Sequence, residues 1–377
     1  MKNQSIYLDY NASTPLDPKV RIAIQEASES LFGNPSSSHW AGIPAKTTVE
    51  NARSQVAGML GCAPSEVVFT SGGSEANNHA IKGSFYSGRK KGNHIITSRI
   101  EHPATIQPCR FLENLGAEVT YLPVDSYGCV NPEDLRKALR PTTILVSIMH
   151  ANNEVGTIQP IPELSAMAHA AGALFHTDAA QTVGKIPVRV GDLGVDLLSV
   201  AGHKFYAPKG VGALYVRSGL QIEPLIHGAG HEVGRRAGTE NVLLDVALGA
   251  ASEQAGGWVK AMAAVAELRD RFWMTLQKDF GSQVRLNGHP RRRLPNTLNI
   301  SFLGEKTGAE ILAAIPQVAA STGSACHAGE VTLSPVLAAM GLSVAEGRGA
   351  IRFSLGLATK WEEIHQVTQQ IKATLAN

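Results

Sequence analysis

Seven short runs rich in β-branched and aromatic residues, separated by stretches of helical spacing, constrain this chain more than any other feature. The runs are Val67–Thr70, His94–Thr97, Val119–Leu122, Ile144–Ile148, Leu174–Thr177, Leu197–Val200 and Gly212–Val216. Their length and near-continuous apolar character are those of strands buried on both faces. Between them apolar residues recur every three or four positions, as in Val49, Ala52, Val56 and Met59 or in Leu164, Met167, Ala168 and Ala171. That is the period of a helix packed on one side. Strict alternation of the two patterns predicts an α/β protein with a mostly parallel sheet covered by helices.

Near Ala250 the alternation stops. A long helical stretch carrying Trp258, Met262, Val265, Leu268 and Phe272 is followed by strand runs at Leu298–Phe302 and Ile351–Ser354. A closing helix then places Trp361, Ile364, Val367, Ile371 and Leu375 on one face. These elements predict a smaller α+β domain. The Arg291-Arg292-Arg293 run, flanked by Pro290 and Pro295, reads as a solvated turn.

Composition removes several function classes. Lys and Arg number 34 against 32 Asp and Glu, a net charge of +2, so there is no electrostatic argument for nucleic acid or a membrane surface. At 44% hydrophobic and 18% charged, the 377 residues are too apolar for disorder. No apolar run approaches the ~18 residues of a membrane span. The first ten residues lack a signal-peptide core, which makes the cytoplasm the expected location. Cys62, Cys109, Cys129 and Cys326 form no CxxC pair, so reduced thiols are expected rather than zinc or disulfides.

Three strand ends carry candidate chemistry. Thr70-Ser71-Gly72-Gly73-Ser74-Glu75 follows one strand and opens a helix, so its backbone N–H groups and the Ser74 hydroxyl are placed to face an anion. The alternative is an ordinary turn with Ser74 as helix cap. The segment has neither the lysine of a Walker A loop nor the Rossmann glycine spacing. Asp178 follows the run Ala173–Thr177, at the point where strands in such sheets deliver side chains to a ligand crevice. Lys204, in Gly202-His203-Lys204-Phe205-Tyr206, follows another strand and is hemmed by aromatic and small residues that favour a low amine pKa and Schiff-base chemistry. An anion cradle, an acid and an amine together meet the three needs of pyridoxal phosphate: a phosphate anchor, a partner for the ring nitrogen and a group to capture the aldehyde.

At this point the chain resembles cysteine desulfurases of the NifS/IscS type, within the class V aminotransferase group of fold-type I pyridoxal-phosphate enzymes. The resemblance runs over nearly the whole length. It is carried by Tyr7–Ala12, Gly33–Ser37, Phe69–Asn78, Glu101-His102, Asn152–Gly156, Asp178–Gln181, Gly202–Lys204, Arg236–Thr239, Pro295–Asn299, Gly323–Cys326 and Arg352–Gly356. It implies a large cofactor-binding domain over residues 15–257 with a seven-stranded sheet. It also implies a small domain made of residues 1–14 and 258–377 that carries the catalytic cysteine.

The resemblance further implies roles. Lys204 would hold pyridoxal phosphate, Asp178 would pair with the ring nitrogen, Gln181 would bond the phenolic oxygen and His102 would stack on the ring. Gly73, Ser74 and His203 would contact phosphate, and Thr239 would reach the phosphate of the other subunit of a homodimer. Asn153 and Arg352 would hold the substrate carboxylate, a task that suits the planar fork of arginine. Cys326, between Gly323 and Gly329, would take sulfur from L-cysteine as a persulfide, leave L-alanine and pass the sulfur to an acceptor protein such as an iron–sulfur scaffold. Cys62, Cys109 and Cys129 match no such motif and read as structural.

Two positions depart from the pattern. Where relatives usually have a serine that donates to phosphate, this chain has Ala201. Selenocysteine lyases also tend to be apolar there, so L-selenocysteine is the alternative substrate. The run Leu355-Gly356-Leu357-Ala358-Thr359 stands where relatives often continue with basic or hydroxyl residues. An aminotransferase or a non-catalytic sulfur-relay scaffold would not need Lys204, Asp178 and Cys326 together.

Overall fold

The computed structural model describes residues 5–327 and 330–376. Seven strands form one sheet: β1 (Val67–Thr70), β2 (His94–Ser98), β3 (Glu118–Leu122), β4 (Thr143–Ser147), β5 (Leu174–Asp178), β6 (Leu197–Ala201) and β7 (Gly212–Val216). Their spatial order is β1-β7-β6-β5-β4-β2-β3. Only β7 runs against its neighbours, so the sheet is mostly parallel, as the alternating pattern predicts.

Successive residues of each strand feed opposite cores, following the two-residue period of a pleated strand. Val146 and Leu198 pack in a cluster with helices Gly42–Leu60 and Ile161–Ala170. Their neighbours Leu145 and Leu197 pack on the other face with Ala76, Ala80, Ile81 and Phe85 of helix Gly73–Gly88. Both faces are therefore dry, which explains why these strands read as continuous apolar runs.

A second sheet gathers the later strands. It contains β8 (Val284–Asn287), β9 (Thr297–Phe302), β10 (Ser321–Thr322) and β13 (Ala350–Ser354) in the antiparallel order β10-β13-β9-β8. Between β10 and β13 lies a separate hairpin of β11 (Ser324–His327) and β12 (Glu330–Leu333). The N-terminal segment joins this side of the molecule: Ile6–Tyr7 pairs with Val318–Ala319, and Asp9 bridges to Ser354.

Helix Val242–Phe280 serves both cores. Its N-terminal half buries Leu248, Ala251, Ala255 and Trp258 against the large sheet. Its C-terminal half buries Met262, Val265, Phe272 and Leu276 against the small one. Phe272 meets Phe353 of β13 edge to face with ring centroids 5.1 Å apart, a contact of about 0.5–1.5 kcal/mol beyond area burial.

The arginine run departs from expectation. Arg291 and Arg292 are exposed, but Arg293 is buried and donates to the carbonyls of Thr297, Val155 and Asn287. Burial lowers its pKa to about 9. The charge of the run hid a side chain that ties the end of β8, the start of β9 and the loop at Val155 together. Among the described residues no helix is long and apolar enough to cross a membrane.

Candidate active site

The ends of β5 and β6 lie side by side, with Asp178 in register with Ser199. Asp178 is the last residue of β5, and a single helical turn, Gly202–Lys204, follows β6 directly. Helix Gly73–Gly88 enters beside them and packs over β6, β7 and β4. These three chain turns open on a cavity of about 600 Å³, within the usual range for a small-molecule site. Its walls include Gly73, Ser74, His102, Asn153, Asp178, Gln181, His203, Lys204 and Arg352, nine of the eleven residues singled out in the sequence.

The helix end fits the anion reading better than the capping one. Its N-cap residue is Gly72, no side chain caps it, and Ser74 lies inside the first turn. First-turn N–H groups and the positive end of the helix dipole thus face the cavity. Space beside Gly73 is tight, because a Cβ there would stand 3.1 Å from the Cβ of Ala201.

Asp178 is held on both oxygens. Oδ2 accepts from Asn77 Nδ2 at 2.7 Å and Oδ1 accepts from the Ala180 backbone N–H at 2.9 Å. Lys204 Nζ donates to the carbonyls of Asn11 (2.8 Å) and Ala12 (3.0 Å). Burial, reinforced by the nearby Arg352 charge, lowers its pKa to about 8. His203 is lowered to about 4, first by burial and then by the charges of Lys204 and Lys209. His102 caps helix Pro103–Glu113 by accepting the Ala104 N–H on Nδ1, which leaves the neutral ring's proton on Nε2. Just before it, buried Glu101 accepts both the Met149 N–H and the Ser98 hydroxyl, and burial pushes its pKa up to about 8.

The opposite wall comes from β13. Arg352 donates through Nη2 to Asp9 Oδ1 (2.6 Å) and Ser321 Oγ (2.8 Å), and through Nη1 to the carbonyl of Asn153 (3.0 Å). Its Nε is buried with no hydrogen-bond partner among the described residues. Arg352 thus touches the Asn153 main chain, while the guanidinium already holds a carboxylate, that of Asp9.

Thr239 and Cys326 are not part of this wall set. Thr239 is exposed, three residues past Arg236, whose guanidinium pairs with Glu75 of the anion-binding helix at 2.9 Å. Cys326 is a β11 residue paired with Val331 of β12, and its side chain lies outside the described residues. Of the other thiols, Cys109 and Cys129 are buried and Cys62 is half-buried.

Four residues of the site went unassigned in the sequence. Asn77 and Asp9 brace Asp178 and Arg352. Asn11 and Lys185, described below, carry the contacts of Gln181. All but Lys185 sit inside motifs that bear the resemblance, and residue type at those positions was the only available signal.

The residues suit pyridoxal phosphate. The donors at the helix end and His203 fit a phosphate, the braced carboxylate of Asp178 fits a protonated ring nitrogen, and Lys204 is an amine of lowered pKa. The orphaned Oδ1 of Asn77 marks polar capacity at the same spot.

The model of the "Aminotransferase class-V" family matches residues 6–367. A curated relative from Dictyoglomus turgidum, "Cysteine desulfurase IscS", is 50% identical over 365 residues, covering 96% of this chain and 92% of that one. One of the same name from Methanosarcina thermophila is 45% identical over 372 residues, 98% and 92% of the two chains. A solved "NifS-like protein" superposes with a TM-score of 0.93 at 37% identity, over 99% of this chain and 100% of that one.

Proposed function

The chain belongs to the class-V aminotransferase family, and from that premise we infer that it is a pyridoxal-phosphate-dependent cysteine desulfurase. The net reaction moves one sulfur atom: L-cysteine becomes L-alanine and a cysteine thiol of the enzyme becomes a persulfide. The observation that carries the reading is the convergence of Lys204, Asp178 and an uncapped helix end on one cavity, faced by Arg352.

When bound, the cofactor supplies an aldehyde for amine capture and a ring that accepts electron density from the substrate's α-carbon. Lys204, with a pKa near 8, would be the residue that captures the aldehyde and that holds or returns a proton at Nζ. Asp178, fixed by Asn77 and Ala180, keeps the ring nitrogen protonated. Gly73, Ser74 and His203 would anchor the phosphate, His102 would cover the ring and Gln181 would donate to its oxygen. Arg352 and Asn153 orient the substrate carboxylate. Cys326, on the hairpin between β10 and β13, is the sulfur acceptor.

The protein works as a homodimer in the cytoplasm. Phe32 and Trp40, 78% exposed and stacked edge to face, and Val233, 89% exposed, supply apolar surface for a second subunit. Thr239, exposed on the neighbouring segment, reaches the partner's phosphate. The persulfide sulfur passes to an acceptor protein for iron–sulfur clusters or for thiolated cofactors and nucleic acids.

The test is to incubate purified protein with L-cysteine or L-selenocysteine and measure alanine and chalcogenide separately, with Cys326→Ser alongside. Cysteine turnover that falls to near background in Cys326→Ser is expected, since a hydroxyl is a far weaker nucleophile than a thiolate. Cysteine turnover at the wild-type rate in that variant removes Cys326 from the reaction. Selenocysteine turnover alone assigns a selenocysteine lyase, the reading favoured by Ala201.

A further inference from the structure

We propose that Lys185 is a positioning residue that sets the orientation of the Gln181 side-chain amide, so that Gln181 offers an N–H to the cofactor's ring oxygen. The inference rests on the pyridoxal-phosphate reading above and deepens it.

The argument starts from groups that can only accept. The carbonyl of Asn153 accepts Asn11 Nδ2 at 3.2 Å, which turns Asn11 Oδ1 the other way. The carbonyl of Leu355 accepts Asn296 Nδ2, and that same amide nitrogen donates to Asn11 Oδ1 at 3.0 Å. Asn11 Oδ1 is therefore an acceptor, and Lys185 Nζ donates to it at 3.2 Å. Lys185 Nζ also donates to Gln181 Oε1 at 2.8 Å. With its oxygen turned toward Lys185, Gln181 has to aim its NH2 the opposite way, where one hydrogen meets the Asn11 carbonyl at 3.0 Å. The second hydrogen is left for the cavity that Gln181 lines.

Flipping the Gln181 amide would set its oxygen against the Asn11 carbonyl, which accepts from its NH2 at 3.0 Å, and present that oxygen to a negatively charged ring oxygen. Both contacts are unfavourable, so the polarity runs one way from the Asn153 carbonyl to the cofactor. Lys185 is buried, its two hydrogen-bond partners are neutral oxygens, and Lys204 and Arg352 are the charges facing it. Burial together with those charges lowers its pKa well below that of an ordinary lysine.

The experiment titrates the visible absorption band of the holoenzyme with pH, in the wild type, Lys185→Met, Gln181→Ala and the double variant. Losing a donor to the ring oxygen makes that oxygen more basic. Lys185→Met should therefore raise the midpoint by about 0.7 pH units, the equivalent of one hydrogen bond. The same substitution in the Gln181→Ala background should add almost nothing, because Lys185 acts through Gln181. Lys185→Gln, an uncharged donor, should recover part of the shift and serves where the methionine variant does not fold. An unchanged midpoint in Lys185→Met, an equal shift in both backgrounds, or equal shifts for Met and Gln at 185 overturns the proposal. A wild-type chain that acquires no visible band with pyridoxal phosphate overturns the cofactor reading itself, which is a different failure.

Discussion

Two cations face the same cavity and are held in opposite ways. Lys204, on the large-sheet wall, donates to main-chain carbonyls, and its pKa falls to about 8. Arg352, on the small-sheet wall, is ion-paired to Asp9 at 2.6 Å and braced by Ser321. The carbonyls orient the amine, while burial and the Arg352 charge disfavour its ammonium form, so Lys204 sheds a proton easily. A carboxylate partner keeps a guanidinium fixed and charged. One wall is arranged for a group that must change state, and the other for a group that must not.

That contrast breaks first at Lys204. Lys204→Ala should abolish alanine formation, a fall of at least about 1,000-fold, in an assay of alanine released from cysteine. Near-wild-type turnover would end the assignment. The unmodified chain should also show the tuning directly. Its rate of pyridoxal-phosphate capture should climb with pH through about 8 and then level off, because only the free amine attacks the aldehyde. A rise centred near the ordinary lysine pKa of about 10.4 would mean the amine is not tuned.

On the other wall the effect belongs to binding. Arg352→Ala should raise KM for cysteine about 100-fold with a smaller change in kcat, as expected for losing a charge-assisted contact. Asp9→Asn, which keeps the shape and removes the charge, should raise KM about tenfold by loosening the arginine. A lower KM instead would show that Asp9 competes with the substrate carboxylate. Smallest of all, Ala201→Ser should tighten cofactor binding about fivefold, the worth of one added donor. A Kd that is unchanged or weaker would mean the phosphate has no room for it, a real test because Gly73 passes so near Ala201 that an added Cβ would stand 3.1 Å from the Ala201 Cβ.

The seven strands of the large sheet were legible almost to the residue, because six are dry, largely apolar runs bounded by turns and the seventh, the half-exposed edge strand β3, still carries the β-prone run Val-Thr-Tyr-Leu. The small side was less so. β8, Val-Arg-Leu-Asn, alternates too briefly to stand out, and the strands of the β11–β12 hairpin, Ser-Ala-Cys-His and Glu-Val-Thr-Leu, are only four residues each and mix polar with apolar residues. Arg293 looked like its two exposed neighbours. In the site, residues that follow strand ends were visible because topology makes those places predictable. Asn11 and Lys185 were not, since the bonds that tie Asn11 to Gln181 and to Lys185 join segments 170 and 174 residues apart and leave no local period.

The long helix Val242–Phe280 has a consequence for how the molecule comes apart. Its 39 residues make a rod of about 58 Å, and neither sheet owns it. Melting the small sheet would leave Met262, Phe272 and Leu276 facing water on a rod still fastened at its other end, and melting the large sheet would do the same to Leu248 and Trp258. Sharing the rod penalises half-melted states, so heat or denaturant should dismantle the two sheets in a single cooperative transition. The cavity walled by both would vanish in that same step.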